Sequence, residues 1–142
     1  EINSVRIIGP LREHSQVEIS RTDAFKLGIN PPVRMSRNFD GALDILVSYC
    51  DKERILPNSC IIANRHLHIN SKDLTSLGLF DGKCVKVKVS GNRGGILDNI
   101  LVKSRDNYNT ELHIDTDEAN AFNLNNGDEV ILLGDEDDGY KL

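Results

Sequence analysis

One short pattern occurs three times in this chain, and each copy carries a residue able to bind a metal at the same place in the unit. The copies run Glu18-Ile19-Ser20-Arg21-Thr22-Asp23 to Leu27-Gly28-Ile29, His68-Ile69-Asn70-Ser71-Lys72-Asp73 to Leu77-Gly78-Leu79, and His113-Ile114-Asp115-Thr116-Asp117-Glu118 to Phe122-Asn123-Leu124. They align without a gap. In each, a carboxylate is followed five positions later by Gly or Asn, residues that tolerate the left-handed conformation closing a helix. Each unit therefore predicts a strand end, a capped helix of about two turns, and a turn into the next strand. Units of this kind packed around a pseudo-symmetric core would bring Glu18, His68 and His113 together.

Composition narrows the fold. With 142 residues, the chain is one domain or two small halves. It has no Trp and few aromatics, so a core of Val, Ile and Leu is expected, which favours sheet. Apolar runs such as Cys60-Ile61-Ile62-Ala63 and Val130-Ile131-Leu132-Leu133 fall far short of the roughly 18 residues of a membrane span. A soluble protein in the cytoplasm is expected, with no membrane partner. The net charge of -5 argues against a nucleic-acid face, which needs clustered Lys and Arg. Cys50, Cys60 and Cys84 are odd in number and widely spaced, which fits free thiols in a reducing compartment.

After the second helix unit, Asp81-Gly82-Lys83 leads into an alternating run from Cys84 to Val89. After the third, Asn126-Gly127-Asp128 leads into Glu129 to Leu133 in the same register. The first copy has Pro31-Pro32 instead of a Gly turn. Further strands are expected at Ser4–Ile8, Ala42–Ser48, Ser59–Ala63, Gly95–Val102 and Tyr108–His113, with a hairpin loop over Gly91–Gly94. The fold class is mainly β: two small β-barrels capped by short α-helices. A pair of barrels built from four such units wants one more copy, so the first barrel is expected to be incomplete, with the fourth copy upstream of Glu1. The expected divisions are 1–63 for part of the first barrel with one capping helix, 64–134 for the second barrel, and 135–142 for a solvated acidic tail.

His66 and His68 are one residue apart, so on a strand they project from one face in a chelating arrangement. Imidazole suits Zn²⁺, and His113 with Glu18 would complete three or four ligands while leaving a position open for water or substrate. Alone, the histidine pair reads equally well as a polar strand face, and His113 alone reads better as a hydrogen-bonded strand residue. The shared register favours metal. Arg12 follows a Gly9-Pro10 turn six residues before Glu18; its planar fork suits phosphate, and a plain surface role is equally open. Arg65 is expected on the opposite face from the histidines, supporting packing. His14 reads as solvent-facing.

Gly9-Pro10-Leu11-Arg12, Gln16-Val17-Glu18-Ile19-Ser20-Arg21-Thr22-Asp23-Ala24, Asn64-Arg65-His66-Leu67-His68 and His113-Ile114-Asp115-Thr116-Asp117-Glu118-Ala119-Asn120 together resemble the PduL-type phosphate propanoyltransferase family. The resemblance runs from about Val5 to Leu133. It implies phosphotransacylases of bacterial propanediol utilisation and related microcompartments, interconverting acyl-CoA (propanoyl- or acetyl-CoA) plus phosphate and acyl phosphate plus CoA. It also implies two β-barrels with a dinuclear zinc site between them. Carried over by motif, His66, His68 and His113 match the ligands of one zinc and Glu18 a carboxylate ligand of the second. Arg12 matches the phosphate-binding arginine. Phe25 and Ser36 fall where the family contacts coenzyme A, the ring suited to stacking on adenine across a homodimer interface. The family carries another Asn-Arg-His-x-His motif in an N-terminal segment. That segment is then either a separate or absent chain, or this sequence is a fragment with an incomplete second metal site.

Two rival readings remain at this point. One is a zinc hydrolase using metal-bound water on a phosphate or ester. The other is a non-catalytic barrel module, since small barrels host many functions.

Overall fold

The structure, a computed structural model, describes residues 1–134. The expected acidic tail, 135–142, lies outside the described residues. The chain divides after Asn64 into two compact units. Both are mainly β, with short helices, which is the fold class expected from the sequence.

In the first unit the organising element is β4 (Lys52–Ala63). It pairs in parallel with β1 (Val17–Glu18) through Cys60 and Ile61, and with β2 (Val33–Arg34) through Ile62 and Ala63. It pairs antiparallel with β3 (Leu43–Tyr49). Where its partners converge, Ser59, Cys60, Ile61 and Ile62 are all buried. Burial raises the Cys60 thiol pKa, so it stays protonated and acts as a small apolar side chain.

The sequence places the start of this strand at Ser59. The strand instead begins at Lys52, and the register against β3 slips between Leu43 and Ile45. Pro57 and Asn58 lie opposite that slip, in a bulge that does not need the missing proline N–H. Asn58 takes a positive φ of 45° there, and its amide donates to Asp44 Oδ1 at 2.9 Å.

A second expectation fails outright. Ser4–Ile8 forms no strand, and Val5, Ile7 and Ile8 are exposed. An alternating run becomes a strand only when another strand supplies its ladder, and among the described residues none does.

The second unit is a five-stranded sheet curled into a half-barrel, in the order β8 (Glu111–His113), β5 (His66–Ile69), β7 (Gly95–Ser104), β6 (Cys84–Val89), β9 (Ile131–Leu132). β6 and the Gly91–Gly94 hairpin fall where the sequence puts them. The outer strands β8 and β9 are shorter than expected; among the described residues each has a partner on one side only. Leu67, Ile69, Val85, Val87, Val89, Leu97, Ile100 and Val102 form the core of this unit.

The three helix units appear as the repeat requires: α1 (Arg21–Leu27), α2 (Ser71–Ser76) and α3 (Thr116–Phe122). Ser20, Asn70 and Asp115 cap them, each side chain accepting a bond from the amide three residues on. Gly28, Gly78 and Asn123 follow with φ of 68°, 63° and 53°. Helices this short are unstable alone. The caps, each contributing about 1 kcal/mol, and the packed turns that follow fix where they start and stop. As a result Glu18, His68 and His113 each stand two residues ahead of a helix cap.

Candidate metal centre

Residues His66 and His68 occupy alternate positions of β5, with Leu67 and Ile69 turned into the core between and after them. That alternation directs both imidazoles to the opposite face. β8 runs antiparallel beside β5 with His113 directly across from His66, so His113 joins the same face. The ring centroids lie 4.7 Å apart for His66–His68, 5.0 Å for His66–His113 and 4.1 Å for His68–His113.

One ligand nitrogen from each of the three lies within 4.8 Å of the others. Nitrogens sharing a tetrahedral ion at ~2.0–2.1 Å are about 3.3 Å apart. At separations within 4.8 Å the three nitrogens are near enough to share one cation. The donor set is three imidazoles, which suits a borderline divalent ion rather than Mg²⁺ or Ca²⁺.

The surroundings tune the donors. The pKa of His68 is lowered to about 4, first by burial, then by the neighbouring His113 and His66, and then by Lys103 and Arg105. Lys103 sits across from His68 on the parallel strand β7. A neutral ring keeps a lone pair for a metal, so this position is held ready to coordinate at neutral pH. Tyr108 stacks on His68, centroids 3.9 Å apart and 18° from parallel, and the Arg105 guanidinium lies 5.5 Å from the tyrosine ring. Tyr108 also lines an open pocket with Asn70, Ser71, Lys72, Asp73 and Asp106. The Glu111 carboxylate is 3.5 Å from His113 Nε2. Arg65, expected to support packing, pairs with Glu118 at 2.9 Å.

The other residues singled out from the sequence belong to the first unit. Glu18 ends β1 and accepts a hydrogen bond from Gln16 Nε2. Arg12 Nη1 donates to Ser36 Oγ at 3.1 Å. Phe25 lies on α1 with its ring exposed. His14 is exposed, as expected, and its Nε2 donates to the Asn58 carbonyl at 3.1 Å.

Sequence reasoning assigned no part to Gln16, Tyr108, Glu111 or Lys103. Gln16 carried a usable signal, since two residues before Glu18 on an extended strand means the same side. Tyr108 carried none, because it reaches His68 from a loop.

The phosphate propanoyltransferase family profile matches residues 1–125. The chain belongs to this family. The Thermotoga maritima phosphate propanoyltransferase is 45% identical over 133 residues, covering 93% of this chain and 63% of that protein. Its counterpart in Rhodobacter capsulatus is 44% identical over 126 residues, covering 89% and 59%. The Salmonella typhimurium protein is 43% identical over 127 residues, covering 89% and 60%. The chain thus spans about three-fifths of the length of the curated phosphate propanoyltransferases it matches. Among the described residues no helix is long and apolar enough to cross a membrane.

Proposed function

We propose that this chain is the metal-holding part of a phosphate acyltransferase that interconverts acyl-CoA plus phosphate with acyl phosphate plus CoA, propanoyl- or acetyl-CoA being the thioester. The observation that carries this reading is the meeting of His66, His68 and His113 on one sheet face in a chain of this family. In this reading the three histidines hold one Zn²⁺ and Glu18 offers a carboxylate to a second. Bound Zn²⁺ supplies Lewis-acid charge to the thioester carbonyl or sulfur.

The chain's own side chains do the rest. Arg12 binds phosphate through two parallel N–H bonds and lowers the repulsion between that anion and the developing oxyanion. Ser36, already joined to Arg12, and the exposed ring of Phe25 contact CoA, the ring by stacking on adenine. Phosphate is the nucleophile: its oxygen forms the new bond to the acyl carbon while the C–S bond breaks and the electron pair leaves with sulfur. The proton given up by phosphate ends on the thiol. No side chain is acylated, so ping-pong kinetics with a trapped acyl-enzyme would contradict this scheme. The same reading includes a homodimer, the family's N-terminal segment as a partner in the complete site, and a place in the cytoplasm or a microcompartment lumen.

The test is thiol release from propanoyl-CoA, measured for the chain alone and with the N-terminal segment of a relative, with and without phosphate. Release that requires phosphate and is lost with bound metal in His66→Ala supports the reading. Phosphate-independent release would make the protein a hydrolase. Full activity in metal-free His66→Ala would refute the assignment of the histidines.

A further inference from the structure

The residues Arg12, Glu18 and Ser36 lie in three different segments of the first unit, yet one side chain links two of them directly. Gln16 is part-buried at the foot of β1. Its Nε2 donates both to Glu18 Oε1 and, at 3.1 Å, to Ser36 Oγ. Its Oε1 accepts the Arg37 amide at 2.8 Å. Both amide protons and the carbonyl are therefore in use, which no other side chain of this size could supply. The orientation of the amide is fixed by the Arg37 N–H, which can only donate and so faces oxygen, leaving the nitrogen toward Glu18 and Ser36.

We propose that Gln16 is a positioning residue for phosphoryl-oxygen binding: it aims the Glu18 carboxylate, holds the turn that carries Ser36, and leaves the Ser36 hydroxyl as an outward hydrogen-bond donor. This rests on the reading that Arg12, Glu18 and Ser36 serve binding. The polarity of Ser36 follows from counting. Its oxygen accepts from Gln16 and from Arg12 Nη1, both at 3.1 Å, which fills its two lone pairs. The hydroxyl proton can then only donate, and the acceptor that suits a donor beside an arginine is an oxygen of phosphate or of a phosphate ester.

The turn gives an independent line of support. The Asn38 amide closes onto the Met35 carbonyl at 2.9 Å, with Ser36 and Arg37 between them. Arg37 has a φ of 77°, a conformation that ordinarily calls for Gly or Asn at that place in a turn. Left-handed backbone at a residue with a long side chain is unfavourable by itself, and the bond from its amide to Gln16 offsets that here. Without Gln16 the turn would relax, and Ser36 and the end of Arg12 would move with it.

Phosphoryl oxygens come from two sources, inorganic phosphate and CoA. The experiment measures KM for each, with Gln16→Ala and Ser36→Ala singly and together in the full chain, and thermal unfolding as the fold control. Gln16→Ala should raise KM for one of the two about tenfold, the scale of a single hydrogen bond. Which KM rises names the source. In the Ser36→Ala background the same change should cost clearly less than tenfold, because one of the three Gln16 partners is already gone and only the bonds to Glu18 and the Arg37 amide remain to be lost. Unchanged KM for both substrates, or an undiminished tenfold loss in the Ser36→Ala background, would overturn the proposal.

A readout free of catalysis separates it from the functional reading. In an amide-resolved NMR spectrum the Gln16 side-chain protons should be split, slowed in exchange and shifted by Ser36→Ala and Glu18→Gln. Freely exchanging Gln16 protons refute the positioning role even if the protein transfers acyl groups. Held protons in a protein that transfers none leave the geometry standing and remove the acyltransferase reading.

Discussion

Replacing Glu118 by Ala tests how the histidine face is held in place. Glu118 Oε1 accepts Arg65 Nε at 2.9 Å, and its other oxygen accepts the Asp115 amide at 3.2 Å, completing a capping box with Asp115. Burial pushes the Glu118 carboxyl above its usual range, against the lowering by the Asp115 amide and Arg65. The side chains of Arg65 and Glu118 are 30% and 22% exposed. Exposed ion pairs contribute about 0–1 kcal/mol, and removing one partner of a fully buried pair costs about 3–5 kcal/mol. A pair this far out of water falls between, at about 1–2 kcal/mol, and losing half of the capping box adds about 0.5 kcal/mol.

The expected destabilisation is thus about 2 kcal/mol, or a Tm drop of about 6–8 °C for a chain of this length. Arg65 immediately precedes His66, Asp115 follows His113 by two residues, and His66 and His113 are directly paired. The ion pair therefore ties together the two ends from which the imidazoles project, and metal affinity should fall along with stability. Urea and thermal unfolding of Glu118→Ala, Arg65→Met and the double variant measure the coupling. A loss under about 0.5 kcal/mol for Glu118→Ala, or strictly additive effects in the cycle, would refute this account.

Three further outcomes are expected. His113→Ala should fold, since the ring is part-exposed, but lose more than about a hundredfold in affinity for Zn²⁺, because even the loss of a residue supporting a ligand costs 10–100-fold; metal per chain after dialysis measures it, and retained stoichiometry would remove His113 from the site. In the metal-free protein, His68 titrates near pH 4 folded and near its ordinary 6.5 unfolded, so between those values the unfolded chain binds more protons. Its contribution is complete above about pH 6.5 and is lost as pH falls toward 4, and urea midpoints of His68→Gln should be flatter across that window than those of the wild type; parallel curves would contradict the shift. Asn123 closes α3 with a φ of 53°, so Asn123→Val should cost about 1–2 kcal/mol by denaturant unfolding while Asn123→Gly stays within about 0.5 kcal/mol.

The chain's local chemistry determined the three capped helices, the offset of Glu18, His68 and His113 from their caps, and the shared face of His66 and His68. Each of these depends on bonds or periodicities spanning only a few residues, so composition within one short window is enough to specify them. Tertiary structure alone decided the rest. Ser4–Ile8 has the pattern of a strand without a partner among the described residues, and β4 starts at Lys52, running through a bulge at Pro57-Asn58, where the sequence gives a start at Ser59. The shared register of the repeat already grouped His113 with the histidine pair, whereas the reach of Gln16 to Ser36, the ion pair from Arg65 to Glu118 and the stacking of Tyr108 on His68 join residues far apart in the chain. Such contacts depend on which segments pack side by side, and that is set by burying the apolar faces of whole strands together, not by any signal carried where the contacting residues lie.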